Sequence, residues 1–172
     1  VGISVTEPDV GSDVSSVKCR AERGTVGGEA GWVVNGPKSW CTFAGRANVL
    51  ALLLRTDPDM SKGGKGLSLF IAEKEPHRGH QFTCTQPTGG RLEGKADATV
   101  GYRGMHSYTL QFENWFIPAA NLVGLEGGLG KGFYLQMGGF AAGRLQTGGR
   151  ACGLAQAALE SACVYVLDRI QF

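Results

Sequence analysis

The sequence has no run of basic residues and no clustered acidic tail: 17 Lys and Arg stand against 15 Asp and Glu, a net charge of +2. That balance gives no electrostatic handle for nucleic acid, which is met by a basic face or stripe. No apolar stretch approaches the roughly 20 residues a membrane-spanning helix needs, and the first residues carry no basic n-region of a signal peptide. Five cysteines (Cys19, Cys41, Cys84, Cys152 and Cys163) are an odd number, widely spaced, without a Cys-x-x-Cys pair or a Cys/His quartet at zinc-site spacing. They read as reduced thiols of an intracellular protein, and no metal site is expected. Internal repeats and low-complexity tracts are missing as well.

What is present is enough for one core: 172 residues with 42% hydrophobic content. The chain opens on Val1 inside an apparent strand and stops at Phe172 inside a helical pattern, so a piece of a longer protein is expected. Short β signals separated by turn residues fill the first two thirds. Residues 14–23 alternate and end at Gly24, residues 32–35 read as a short strand, and residues 48–56 and 66–73 are apolar runs. Residues 108–118 add a strand closed by Pro118, which has no N–H for a ladder. Residues 76–100 are the least periodic, a long connection around a strand near residues 81–85. Strands at this spacing predict a sandwich or barrel.

From Lys131 the period changes. Phe133, Met137, Phe140, Arg144, Thr147, Ala151, Leu154, Ala158 and Ser161 recur at three- and four-residue steps, predicting a long helix. Gly148 and Gly149 inside it each cost about 1 kcal/mol relative to alanine, which points either to close packing or a cofactor's approach, or to a bend. The expected fold class is mainly β with α: a β-barrel or sandwich over residues 1–122, then a helical part over residues 123–172.

Two stretches carry chemistry. In the first, Val5-Thr6-Glu7-Pro8-Asp9-Val10-Gly11-Ser12-Asp13, hydroxyls, a rigid proline and a permissive glycine share one turn. Such a turn lets backbone amides and a serine approach an anionic or carbonyl-rich ligand, or is an ordinary Pro/Gly turn with an Asp cap. In the second, Lys38-Ser39-Trp40-Cys41-Thr42, an indole that stacks on a flat ring is followed two residues later by a hydroxyl on the same side of an extended segment. A tryptophan packed in the core is the other reading. His106 has no evident Ser, Cys or carboxylate partner and reads as a surface or packed histidine.

Together these stretches resemble the two flavin-gripping loops of the acyl-CoA dehydrogenase family. Further matches follow in order: Gly101-Tyr102-Arg103-Gly104, then Phe116-Ile117-Pro118 and Asn121-Leu122-Val123-Gly124, then Gly143-Arg144 in the helix and Arg169-Ile170-Gln171-Phe172 at its end. The resemblance covers residues 5–172. It implies the family's middle β-barrel domain followed by the first helix of its C-terminal helical domain, with FAD as cofactor. Thr6 then bonds the isoalloxazine ring, with Val5 among the backbone supports. Ser12 lies near the pyrophosphate and the acyl-CoA, Trp40 covers the ring with Cys41 in the pocket wall, and Thr42 bonds near N5. Arg144 takes a substrate-side role. Arg169 and Gln171 reach the FAD of a neighbouring subunit, with Phe172 an apolar partner; Arg103 reads as a structural anchor or as a direct ligand contact. Ile3, Cys41 and Phe43 depart from residues common in the family.

The implied reaction oxidises an acyl-CoA thioester to its trans-2-enoyl product and passes electrons to an electron-transfer flavoprotein, in a homo-oligomer, a dimer or tetramer. The resemblance implies the bacterial cytoplasm or the mitochondrial matrix as its compartment. The family's glutamate base is expected beyond residue 172. Some members carry it immediately before the helix arginine, where this chain has Gly143, so no catalytic residue is assigned and the chain alone is expected to be inactive. Flavin-dependent monooxygenases and nitroalkane-oxidising relatives share these loops, as would a flavin-binding relative without turnover.

Overall fold

The computed structural model describes residues 1–101 and 104–172; Tyr102 and Arg103 lie outside them. Among the described residues there are eight strands: β1 (Gly2–Ser4), β2 (Arg20–Val26), β3 (Glu29–Thr42), β4 (Val49–Arg55), β5 (Leu67–Glu73), β6 (Gln81–Thr85), β7 (Arg91–Ala96) and β8 (Ser107–Pro118). One helix, α1 (Gly132–Asp168), follows. The strands join in one sheet in the order β1-β4-β2-β3-β8-β7-β6, with β5 paired to β4. Trp32 of β3 meets Phe70 of β5 edge-on, ring centroids 5.4 Å apart, although the two strands are not neighbours in the sheet. The sheet is therefore curled, and its inner face closes around one core that includes Trp32, Leu52, Phe70, Leu92, Phe112 and Ile117.

Local chemistry accounts for the strand order. β4 pairs with β5 along its whole length and with β1 and β2 at either end, and Leu50, Leu52, Leu53 and Leu54 are fully buried. A continuous apolar run suits a strand covered on both faces. β2 and β3 are joined by Gly27 and Gly28, with φ of 60° and 88°, the left-handed pair that a two-residue hairpin needs to match strand twist.

The mainly β architecture with a long helix agrees with the expectation, and three local differences have physical causes. Residues 14–16 form a 3-10 turn rather than strand, because the Asp13 carboxylate collects the hydroxyls of Ser15 and Ser16 and offers the backbone an alternative to the ladder. The short strand at residues 32–35 is the middle of the 14-residue β3: Gly36-Pro37 does not stop it, because a bulge with Gly36 at φ 130° absorbs the irregularity. β7 shows no clear period because one of its inward positions is Gly94, and the Phe82 ring fills the space where a side chain would stand.

The chain divides into two compact units, Val1–Gln136 and Met137–Phe172. In the first, Gly132 packs its backbone against Ser68 and Leu69 at the start of β5. In the second, α1 runs unbroken through Gly148 and Gly149, and a Cβ added at either would meet nothing within 4 Å. Leu145, Leu154, Leu159 and Leu167 on it are exposed. Among the described residues no helix is long and apolar enough to cross a membrane.

Gly31, in β3, faces the Ile117 carbonyl oxygen of β8 so closely that an added Cβ overlaps it, and backbone cannot rotate away. Gly31→Ala is expected to destabilise the β unit by about 1 to 3 kcal/mol in urea unfolding. An unchanged midpoint would show that the β3–β8 pairing is looser than this.

Candidate functional site

The two motif loops meet through one buried ion pair. Lys38 is fully buried, and its Nζ donates to Glu7 Oε1 at 2.9 Å and to the Val5 carbonyl at 3.0 Å. Glu7, 5% exposed, also accepts from the Lys18 N–H at 2.8 Å and the Cys19 N–H at 2.9 Å. One carboxylate thus ties the residue 5–13 loop to β3 and to the segment entering β2. Beside it, burial pushes the Cys19 thiol up to about 12, with the Lys38 charge pulling the other way. A direct backbone bond completes the junction: the Ser39 N–H donates to the Thr6 carbonyl at 2.7 Å.

The loop itself is folded tightly. Glu7 and Val10 exchange both backbone hydrogen bonds around Pro8 and Asp9, which leaves Ser12 and Asp13 exposed. The hydroxyls of Ser15 and Ser16 hold the Asp13 carboxyl below the usual carboxylate range. From the other side Arg55, buried at the end of β4, donates from Nε to the Val17 carbonyl at 2.7 Å and from a terminal nitrogen to the Ser15 carbonyl at 2.6 Å.

β3 changes character at the second motif. Its register against β8 shifts between Lys38 and Cys41, and Trp40 has φ 57°. A bulky residue in the left-handed region costs about 1 to 3 kcal/mol and persists only where surrounding structure holds it. The result is that Lys38 and Ser39 both turn inward, while the indole of Trp40 stands 60% exposed. The alternation resumes there: Cys41 is fully buried, and Thr42 is half-buried on the outer side with Trp40. Trp40 is not a core tryptophan. Thr42 Oγ1 lies 3.3 Å from the Ser107 hydroxyl, and the Phe43 N–H donates to the His106 carbonyl at 2.8 Å.

The expected site residues are thus distributed as follows. Thr6, Trp40 and Thr42 lie on adjoining segments, with the Thr6 backbone bonded to the residue before Trp40. The side chains of Val5 and Cys41 are buried in the protein, and the Val5 carbonyl already accepts from Lys38 and the Cys41 carbonyl from the Ala44 N–H. Burial pushes the Cys41 thiol up to about 11, which makes it a neutral packing group. Arg144, Arg169 and Gln171 belong to the helical unit and are exposed. The Arg169 guanidinium sits 6.0 Å over the Tyr165 ring, and Gln171 donates to the Ile170 carbonyl. Gly143 offers only its carbonyl, which accepts from the Thr147 hydroxyl.

Four contributors were not singled out in the sequence: Glu7 and Lys38 as a pair, Arg55 and Ser107. Signals existed for three of them. Lys38 falls on an inward position of a strand, Glu7 lies in the loop next to it, and Arg55 ends an apolar run buried on both faces. Ser107 had none, since its role is set by the β3–β8 register.

Residues 2–115 match the family model for the acyl-CoA dehydrogenase middle domain. The (2S)-methylsuccinyl-CoA dehydrogenase of Cereibacter sphaeroides is 42% identical over 168 residues, covering 97% of this chain and 28% of that protein. Among solved structures, a probable acyl-CoA dehydrogenase from Mycobacterium abscessus superposes with a TM-score of 0.80 at 30% identity, over 99% of this chain and 40% of that one. An acyl-CoA dehydrogenase complexed with FAD from Bacillus anthracis gives 0.75 at 28% identity, over all of this chain and 26% of that one. The chain therefore spans well under half the length of these relatives.

Lys38→Met leaves the Glu7 carboxylate buried with only two backbone N–H partners. The variant is expected to lose about 3 to 5 kcal/mol in denaturant unfolding, and adding Glu7→Gln to recover part of that loss. Purely additive losses would mean that the two side chains do not act as a pair.

Proposed function

The chain belongs to the acyl-CoA dehydrogenase family, and on that premise we propose that its parent protein binds FAD and oxidises an acyl-CoA thioester to the trans-2-enoyl thioester. The observation that carries this reading is the exposed Trp40 indole, held in a strained conformation beside Thr6 and Thr42. An aromatic face left uncovered at an energetic cost, with hydroxyls on the adjoining segments, suits a flat ring with hydrogen-bonding edges. The residues present therefore fit the isoalloxazine group. The flavin supplies acceptance of the hydride when bound.

This chain's own residues bind and orient. Trp40 would cover the ring and keep water from it. Thr6 and Thr42 would donate hydroxyl hydrogen bonds to it, and the Ser107 hydroxyl, 3.3 Å from Thr42 Oγ1, would hold the rotamer of the latter. Ser12, exposed on the tight turn, meets the pyrophosphate and the thioester's CoA portion. Arg144 would take a substrate-side role, and Arg169 with Gln171 would contact the cofactor of a neighbouring subunit in a homo-oligomer. The base that removes the α-proton comes from outside these 172 residues, since Gly143 has nothing to titrate, and the chain alone is inactive. An electron-transfer flavoprotein would be the partner that takes up the electrons.

Anaerobic addition of acyl-CoA thioesters to the full-length protein is expected to bleach the visible flavin band, and Thr42→Val to slow that bleaching about 100-fold. No bleaching, together with rapid reaction of the reduced flavin with oxygen, would instead assign the protein to the oxygen-using relatives of this fold.

A further inference from the structure

Away from the ion pair, two imidazoles stand nitrogen to nitrogen. His80 Nε2 and His106 Nε2 are 3.1 Å apart, with ring centroids 4.4 Å apart and ring planes at 74°. The two residues come from different segments, one just before β6 and the other just before β8. Each is fixed by backbone bonds. The Ala96 N–H donates to the His80 carbonyl at 2.7 Å, and the Tyr108 hydroxyl to the Gly79 carbonyl at 3.1 Å. On the other side the Phe43 N–H donates to the His106 carbonyl at 2.8 Å, and the Asp97 N–H to the Ser107 carbonyl at 2.8 Å. The pair is therefore placed by the sheet rather than by its own contact.

We infer that His80 and His106 form a two-imidazole site for a late first-row divalent cation of the zinc, nickel or copper class. The separations support it. The centroids are farther apart than the nitrogens by less than the two ring radii that collinear rings would add, so the rings are inclined to the line joining the nitrogens instead of lying along it, as an end-on N–H···N bond would have them. An ion about 2.0 to 2.1 Å from each Nε2 would subtend about 100° across the observed gap, between the octahedral and tetrahedral angles. Imidazole nitrogen selects this class over calcium or magnesium, which take oxygen ligands.

No group of three or more His, Cys, Asp or Glu side chains is placed to hold a metal among the described residues, so water completes the coordination and the ion exchanges with solution. This distinguishes the site from a closed structural zinc centre. Occupancy ties the start of β6 to the segment that presents Ser107 to Thr42, so the ion stiffens that wall of the candidate flavin site. The cation site itself does not depend on the flavin reading.

The test is calorimetric titration of chelator-stripped full-length protein with Zn2+ and with Ni2+, beside His80→Gln, His106→Gln and, as a control, His77→Gln. Both pair residues carry their rings at the surface or half-buried, and circular dichroism checks that each variant folds. One ion per chain is expected, with affinity falling at least about tenfold in the His80 and His106 variants and unchanged in the His77 variant. A wild type that binds no tighter than the His80 and His106 variants, or an equal loss in the His77 variant, overturns the site and leaves the pair as a hydrogen bond alone.

Discussion

The geometry of the candidate site depends on a lysine and a glutamate buried against each other. Lys38 comes from β3 and Glu7 from the residue 5–13 loop, the two stretches proposed to meet one ligand, and neither is exposed enough for water to satisfy it. A buried charge without its partner is so costly that the loops have one low-energy arrangement, with Lys38 Nζ between Glu7 and the Val5 carbonyl. Hydrophobic residues of the same volume would give comparable stability but not this register. The ion pair contributes specificity of placement more than free energy.

Placement then determines what is exposed. With Lys38 and Ser39 both drawn inward, β3 cannot keep its alternation, and the bulge at Trp40 turns the indole outward at φ 57°. Phe43, at φ 66°, makes a second left-handed turn just beyond Thr42. The strand is thus distorted on both sides of the two residues that face outward. The His106 carbonyl and the Ser107 hydroxyl brace the distortion from the neighbouring strand's approach.

Much of this was legible in the residues. The strands at β4, β5, β6 and β8 follow from apolar runs and alternation, and α1 from its three- and four-residue period, because those elements bury one continuous face or both. β7 was hidden because Gly94 leaves its inward position to the Phe82 ring, and the length of β3 because a bulge carries it past Gly36-Pro37. Thr6, Trp40 and Thr42 stood out by local chemistry, and resemblance assigned them to one ligand. Their proximity rests on the Ser39 to Thr6 bond and the Glu7 to Lys38 pair, which join segments more than thirty residues apart and leave no local periodic trace.

The most direct measurement is the flavin affinity of full-length Glu7→Gln protein, with its fold monitored by circular dichroism. Glutamine keeps the size of the side chain and one acceptor oxygen for the Lys18 and Cys19 amides, which bond different oxygens of the carboxylate, and it removes the charge that holds Lys38. If the pair is what presents Trp40, Thr6 and Thr42 as one surface, flavin binding weakens at least about tenfold while the sheet persists. Wild-type flavin affinity in a folded Glu7→Gln protein would contradict the account.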